Sequence, residues 1–151
     1  MVSDLGFDDV ANGVAITPSG TILIAGTRLG PKANLDAKVA SYGPNGKLNL
    51  GFGDFGVADT DLSRGDDFGD DLVLKPDGDI VVVGSATSAT SPTLTDMALV
   101  RYRPDGTVAA SLTTDFNGTG DFGHAVAIDT KGRIVAAGTT GDQFALMRAF
   151  L

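Results

Sequence analysis

Nineteen acidic residues, all aspartate, and a single histidine, His124, carry most of the acid–base and metal-binding capacity of this sequence. The triplet Asp-Phe-Gly appears three times, at Asp54–Gly56, Asp67–Gly69 and Asp121–Gly123. A protein kinase uses that triplet once, to hold magnesium, and also needs a strand lysine and a His-Arg-Asp loop. Here His124 is followed by Ala125 and Val126, so the kinase reading fails. With one His, no Glu and no Cys, neither a Ser-His-Asp triad, a glycosidase Glu pair nor a zinc constellation is expected. Asp115-Phe116-Asn117-Gly118-Thr119-Gly120-Asp121 places oxygen donors at alternate positions, the spacing of a calcium loop. Such a loop ends in a bidentate Glu at its twelfth position, where this sequence has Val126, so a solvated turn is the expectation. The corresponding stretch Asp61–Asp67 carries Arg64 where a ligand or glycine is needed.

The formal net charge of −8 excludes a nucleic-acid backbone or an anionic membrane surface as partner. Apolar runs such as Ile80-Val81-Val82-Val83 are too short to span a bilayer. The opening MVSDLGFDD has neither a basic start nor an apolar stretch, so no signal peptide is expected. The absence of Cys leaves the compartment open.

The aspartates are placed by a repeat. DVANGVAITPSGTILIAG from Asp9, DFGDDLVLKPDGDIVVVG from Asp67 and DFGHAVAIDTKGRIVAAG from Asp121 align without gaps. Each has an Asp, a short apolar run, a turn ending in Gly20, Gly78 or Gly132, and a second apolar run ending in Gly26, Gly84 or Gly138. Pro sets φ early in a turn and Gly accepts positive φ later, so Pro-x-Gly between apolar runs predicts a hairpin. Pro44-Asn45-Gly46 and Pro104-Asp105-Gly106 predict a second turn, preceded by the strands AKVASY and MALVRY, with FALMRAFL as the third copy. Fourth strands are expected near Val57–Leu62 and Val108–Thr114. Each unit is thus four antiparallel strands, a to d, apolar on both faces. Such sheets must be covered on both sides, and stacking them around an axis makes an all-β β-propeller.

LVLKPDGDIVVVG, MALVRYRPDGTV and LNLGFGDFGV resemble the bacterial delta-sixty repeat β-propellers. The resemblance implies blade architecture and a bacterial, cell-surface or secreted setting, and carries no catalytic residue. Thr130-Lys131 in place of Pro-Asp, and a shortened linker after Val108, depart from the pattern.

Residues 1–151 are read as one half-propeller, with blade units at about 7–63, 66–115 and 120–151, the last completed by a strand from residues 1–6. Val2–Leu5 resembles Asp59–Leu62, which offers a spare strand d. Propellers usually close with about four to eight blades. Two copies, each donating that strand to the other, would give a six-bladed C2 homodimer; the alternative is a piece of a longer propeller.

In such a ring Asn12, Asp70 and His124, at one repeat position just ahead of strand a, converge near the axis as a candidate ligand-binding group. Asp9, Asp67 and Asp121 are expected to be structural, accepting backbone N–H bonds in the d–a turns, with Gly20, Gly78 and Gly132 as turn residues. The b–c loops, from Gly26, Gly84 and Gly138, differ most between copies, and SATSATSPTLT suits a glycan or peptide. The reading is a non-enzymatic, self-assembling scaffold and binding module without a required cofactor. The alternatives are a calcium-assisted, lectin-like glycan-binding module and, more remotely, a metal-dependent propeller hydrolase using Asp70 and His124.

Overall fold

The computed structural model describes residues 9–29, 34–63 and 65–151. Val2–Leu5, the expected donated strand, lies outside the described residues. The described chain is all β, in three antiparallel sheets. The first contains β1 (Asp9–Ile16), β2 (Ile22–Leu29), β3 (Leu35–Tyr42) and β4 (Val57–Thr60) in chain order. The second repeats this with β5 (Asp67–Leu74), β6 (Ile80–Thr87), β7 (Thr95–Tyr102) and β8 (Val108–Thr114). The third has three strands, β9 (Asp121–Ile128), β10 (Ile134–Thr140) and β11 (Gln143–Ala149). β11 therefore occupies an edge where the other sheets add a fourth strand.

Alternation along the strands sends each residue to one of two neighbours. In β6 and β7, Ile80, Val82, Val100 and Tyr102 pack toward the first sheet, against Leu23, Ala25, Val39 and Ala58. Val81, Val83, Met97 and Leu99 pack toward the third, against Ile134, Ala136, Ala145 and Met147. Each such aliphatic side chain contributes about 1.5–3 kcal/mol when taken from water. β6 and β7 of the middle sheet are thus buried on both faces, as a blade between blades requires. Phe52, from the linker before β4, fills the first of these interfaces. Tyr102 closes it with a hydroxyl bonded to Thr60, and burial pushes its phenol up to about 12.

The hairpin turns take the expected form. Gly20, Gly78 and Gly132 have φ of 84°, 91° and 74°. Where the third copy lacks Pro-Asp, Asp129 secures the turn by accepting the N–H bonds of Lys131 and Arg133 at 2.8 and 3.0 Å. The three Asp-Phe-Gly triplets do not share a structure. Those at Asp67 and Asp121 open strands, whereas Phe55 sits in a turn with a positive φ of 49°.

The glycines inside the second strand of each sheet have a steric cause. A Cβ on Gly26, Gly84 or Gly138 would run into the carbonyl oxygen of Val10, Phe68 or Phe122 on the adjoining inner strand. Close approach continues between sheets: a Cβ on Gly69 would lie 2.7 Å from the oxygen of Gly26, and one on Gly123 would lie 2.8 Å from that of Gly84. At Gly69 and Gly123 of the repeated triplet, neighbouring blades approach too closely to admit a Cβ.

Candidate functional site

Asn12, Asp70 and His124 lie inside β1, β5 and β9 rather than ahead of them, which corrects their expected position. Each is the extra residue of a β-bulge. In β1, Ala11 and Gly13 pair with Gly26 and Ala25, passing over Asn12. In β5, Gly69 and Asp71 pair with Gly84 and Val83, passing over Asp70. In β9, Gly123 and Ala125 pair with Gly138 and Ala137, passing over His124. A bulge leaves its extra residue outside the ladder and re-aims its side chain, and bulges are frequent beside binding sites.

The bulges form a row across the three blades. The Asn12 amide donates to the Gly69 carbonyl at 2.9 Å, next to Asp70 in the chain. One repeat on, the link is made differently: Asp71 Oδ2 accepts the Val126 N–H at 3.0 Å, and Oδ1 accepts the Leu72 N–H at 2.9 Å. With Asp71 making that bridge, the Asp70 carboxylate accepts no hydrogen bond from the described residues and faces the field of His124. Burial pushes the Asp70 carboxyl above its ordinary range; His124 opposes the shift and Asp71 adds to it. His124 is exposed, its ring 3° from parallel with Phe122 at a centroid separation of 6.5 Å. Its Nε2 lies 3.4 Å from Thr139 Oγ1. The arrangement offers an amide, a carboxylate and an imidazole to a polar ligand. Asp70 and His124 belong to no group of three metal-ligating side chains among the described residues.

Asp70 is held charged at a cost to folding. A carboxyl raised in the folded state favours folding fully below its unfolded value of 3.8, and that contribution is lost as pH rises through the folded value. Asp70→Asn is therefore expected to raise the urea midpoint at pH 7, the advantage disappearing below pH 3.8. A lower midpoint for the variant at pH 7 contradicts this account of Asp70.

The aspartates that open β5 and β9 are fully buried. Asp67 Oδ2 accepts the N–H bonds of Leu62 and Ser63 at 2.7 and 3.2 Å, and its Oδ1 accepts the Ser63 hydroxyl at 3.0 Å. Asp121 Oδ2 accepts the Phe116 N–H at 2.8 Å. Asp9, at the same repeat position, is exposed. In the Asp115–Asp121 loop the donors expected for calcium are partly used up: Asn117 Oδ1 accepts the hydroxyls of Thr119 and Thr140 at 2.6 and 2.8 Å. On the same edge a cleft of about 650 Å³ opens between the turn into β5 and the β6–β7 loop, lined by Ser63, Asp66, Thr87, Ser88, Pro92 and Thr113 among others.

Antiparallel sheets of three or four strands stacked face to face, inner strand against the preceding blade, are the blades of a β-propeller fold. Residues 75–111 match a family model described as a domain of unknown function (DUF5122), beta-propeller, and the match supports a β-propeller repeat family. That stretch covers the second hairpin and the turn into β8. A comparison with curated protein sequences gives no match.

Proposed function

We propose that two copies of this chain close as one six-bladed ring, and that the ring is a non-enzymatic scaffold and binding module of the delta-sixty type. The observation that carries this is the chemistry of the two end faces. The open face of the first blade carries the partly exposed Ile22, Ile24 and Tyr42 and the buried Ala40. By strand register these match Ile80, Val82, Val100 and Tyr102, the residues with which the second blade packs on the first. The open face of the third blade presents Val135, Phe144 and Leu146, which match Val81, Met97 and Leu99, the second blade's surface toward the third. Each end therefore carries the counterpart of the other, in the combination that already mates twice within the chain.

Exposure points the same way. Phe144 is 99 % and Leu146 69 % exposed, and on the first blade Val14 and Ile16 are 66 % and 65 % exposed. Apolar patches of this kind mark association surfaces. A second copy covers both ends, giving one half-propeller module per chain. Closure also places Asn12, Asp70 and His124 of both copies around one axis. That group and the polar β6–β7 loop make a glycan or polar peptide the ligand class this face suits.

Folding coupled to association makes stability depend on protein concentration. The melting temperature is expected to rise steadily over a hundredfold concentration range. A concentration-independent melting temperature would refute the ring of two copies.

A further inference from the structure

We infer that Asp96, Asp115 and Asp121 form a calcium site that ties together the start of β7, the end of β8 and the start of β9. One carboxylate oxygen from each lies within 4.8 Å of the others. Ligands across a calcium ion bound at 2.3–2.6 Å stand about 5 Å apart, so the three can share one ion. Asp96 comes from a different strand, which is why the linear loop Asp115–Asp121 does not reveal the set.

A second observation is independent of the clustering. Asp121 is 0 % exposed, and with Oδ2 occupied by the Phe116 N–H, its Oδ1 is buried without a hydrogen-bond partner among the described residues. A buried carboxylate oxygen left bare is costly unless something positive meets it. The Thr95 hydroxyl oxygen is likewise buried and unpartnered, and it faces Gly120, where a Cβ would lie 3.5 Å from it. One of the three carboxylates thus has a bare buried oxygen, and a second bare buried oxygen, that of Thr95, lies on the residue beside Asp96. Asp115 keeps an oxygen available, since only Oδ1 is used, by the Gly118 N–H at 2.6 Å.

The preceding repeat gives the contrast. At the matching positions, Asp36 has Lys38 Nζ at 3.4 Å and Asn34 Nδ2 at 2.8 Å, and Asp67 has both oxygens satisfied through Leu62 and Ser63. In the later repeat Ala98 stands where Lys38 does, and Asn117 replaces Ser63 with its side-chain oxygen turned to Thr119 and Thr140. The internal cation and the hydroxyl donor are both gone, while the three carboxylates stay. Oxygen-only donors, on backbone held by sheet ends, suit calcium better than magnesium, which keeps its waters and demands octahedral geometry.

The test is thermal unfolding of the full chain after chelator treatment, with calcium chloride added back. At about 10 mM calcium the melting temperature is expected to rise by about 5 °C, with matched magnesium or sodium chloride giving a much smaller shift. Asp96→Asn and Asp115→Asn should each unfold at higher temperature than wild type without calcium and lose the calcium response, since each removes one of three crowded charges. Asp36→Asn, at the matching place in the first blade, should keep the full response. No calcium shift in the wild type, an equal shift with magnesium or sodium, or an undiminished shift in both Asp96→Asn and Asp115→Asn would overturn the assignment.

Discussion

Leu146→Asp is expected to break the proposed two-chain ring into single chains. Leu146 is 69 % exposed on the open face of the third blade, while its repeat counterpart Leu99 is completely buried against the next blade. An aspartate there would be carried into a largely apolar interface where the nearby Lys38 is already paired with Asp36 and Asp59, and an unpaired buried charge is among the most expensive errors an interface can contain. The proposed ring would have two such junctions related by symmetry, so one substitution would act twice. Dissociation should be strengthened by about 100-fold or more, the scale of a centrally placed hot spot. Sedimentation of the variant beside the wild type measures this. An unchanged dissociation constant would show that this face is not the junction.

Gly84→Ala is expected to be the most damaging methyl group that can be added within the middle blade. Its Cβ would overlap the Phe68 carbonyl oxygen, two residues before the bulge at Asp70. Neither partner can yield cheaply, because β6 is buried on both faces and Gly123 of the third blade packs directly on Gly84. The cost should be about 3 kcal/mol, at the upper end of overpacking effects. Gly132→Ala makes the comparison sharp. Gly132 needs its φ of 74°, yet a Cβ there meets nothing within 4 Å. Backbone strain alone should then cost about 1–2 kcal/mol. Urea midpoints ranking Gly132→Ala as the more harmful would contradict the packing account.

The two glycines show what the sequence makes legible and what it withholds. Pro-x-Gly between apolar runs announces a hairpin because only local backbone angles are involved, and Gly78 and Gly132 have the positive φ this requires. The repeat of Gly26, Gly84 and Gly138 is equally plain in the sequence, but its cause is not. A bulge sets two residues against one on the partner strand, so Asp70 is seen to stand outside the ladder only when β5 and β6 are paired residue by residue. For that reason Asn12, Asp70 and His124 are visible as one repeat position, while their place within the strands emerges only from register. The acidic group is harder still. Asp115 and Asp121 are close in sequence, but Asp96 joins them through the pairing of β7 with β8, a non-local contact. The replacement of Lys38 by Ala98 was the available signal, and it acquires meaning only beside the buried, unpartnered oxygen of Asp121.

The claim that two copies complete one ring is tested most directly by the mass of the wild-type protein in solution, measured by light scattering at micromolar concentration. One chain has a mass of 15.3 kDa. A particle of twice that mass, folding in a single cooperative transition, is the predicted result. A cooperatively folded particle of 15.3 kDa would contradict it and leave the apolar faces of the first and third blades open to solvent.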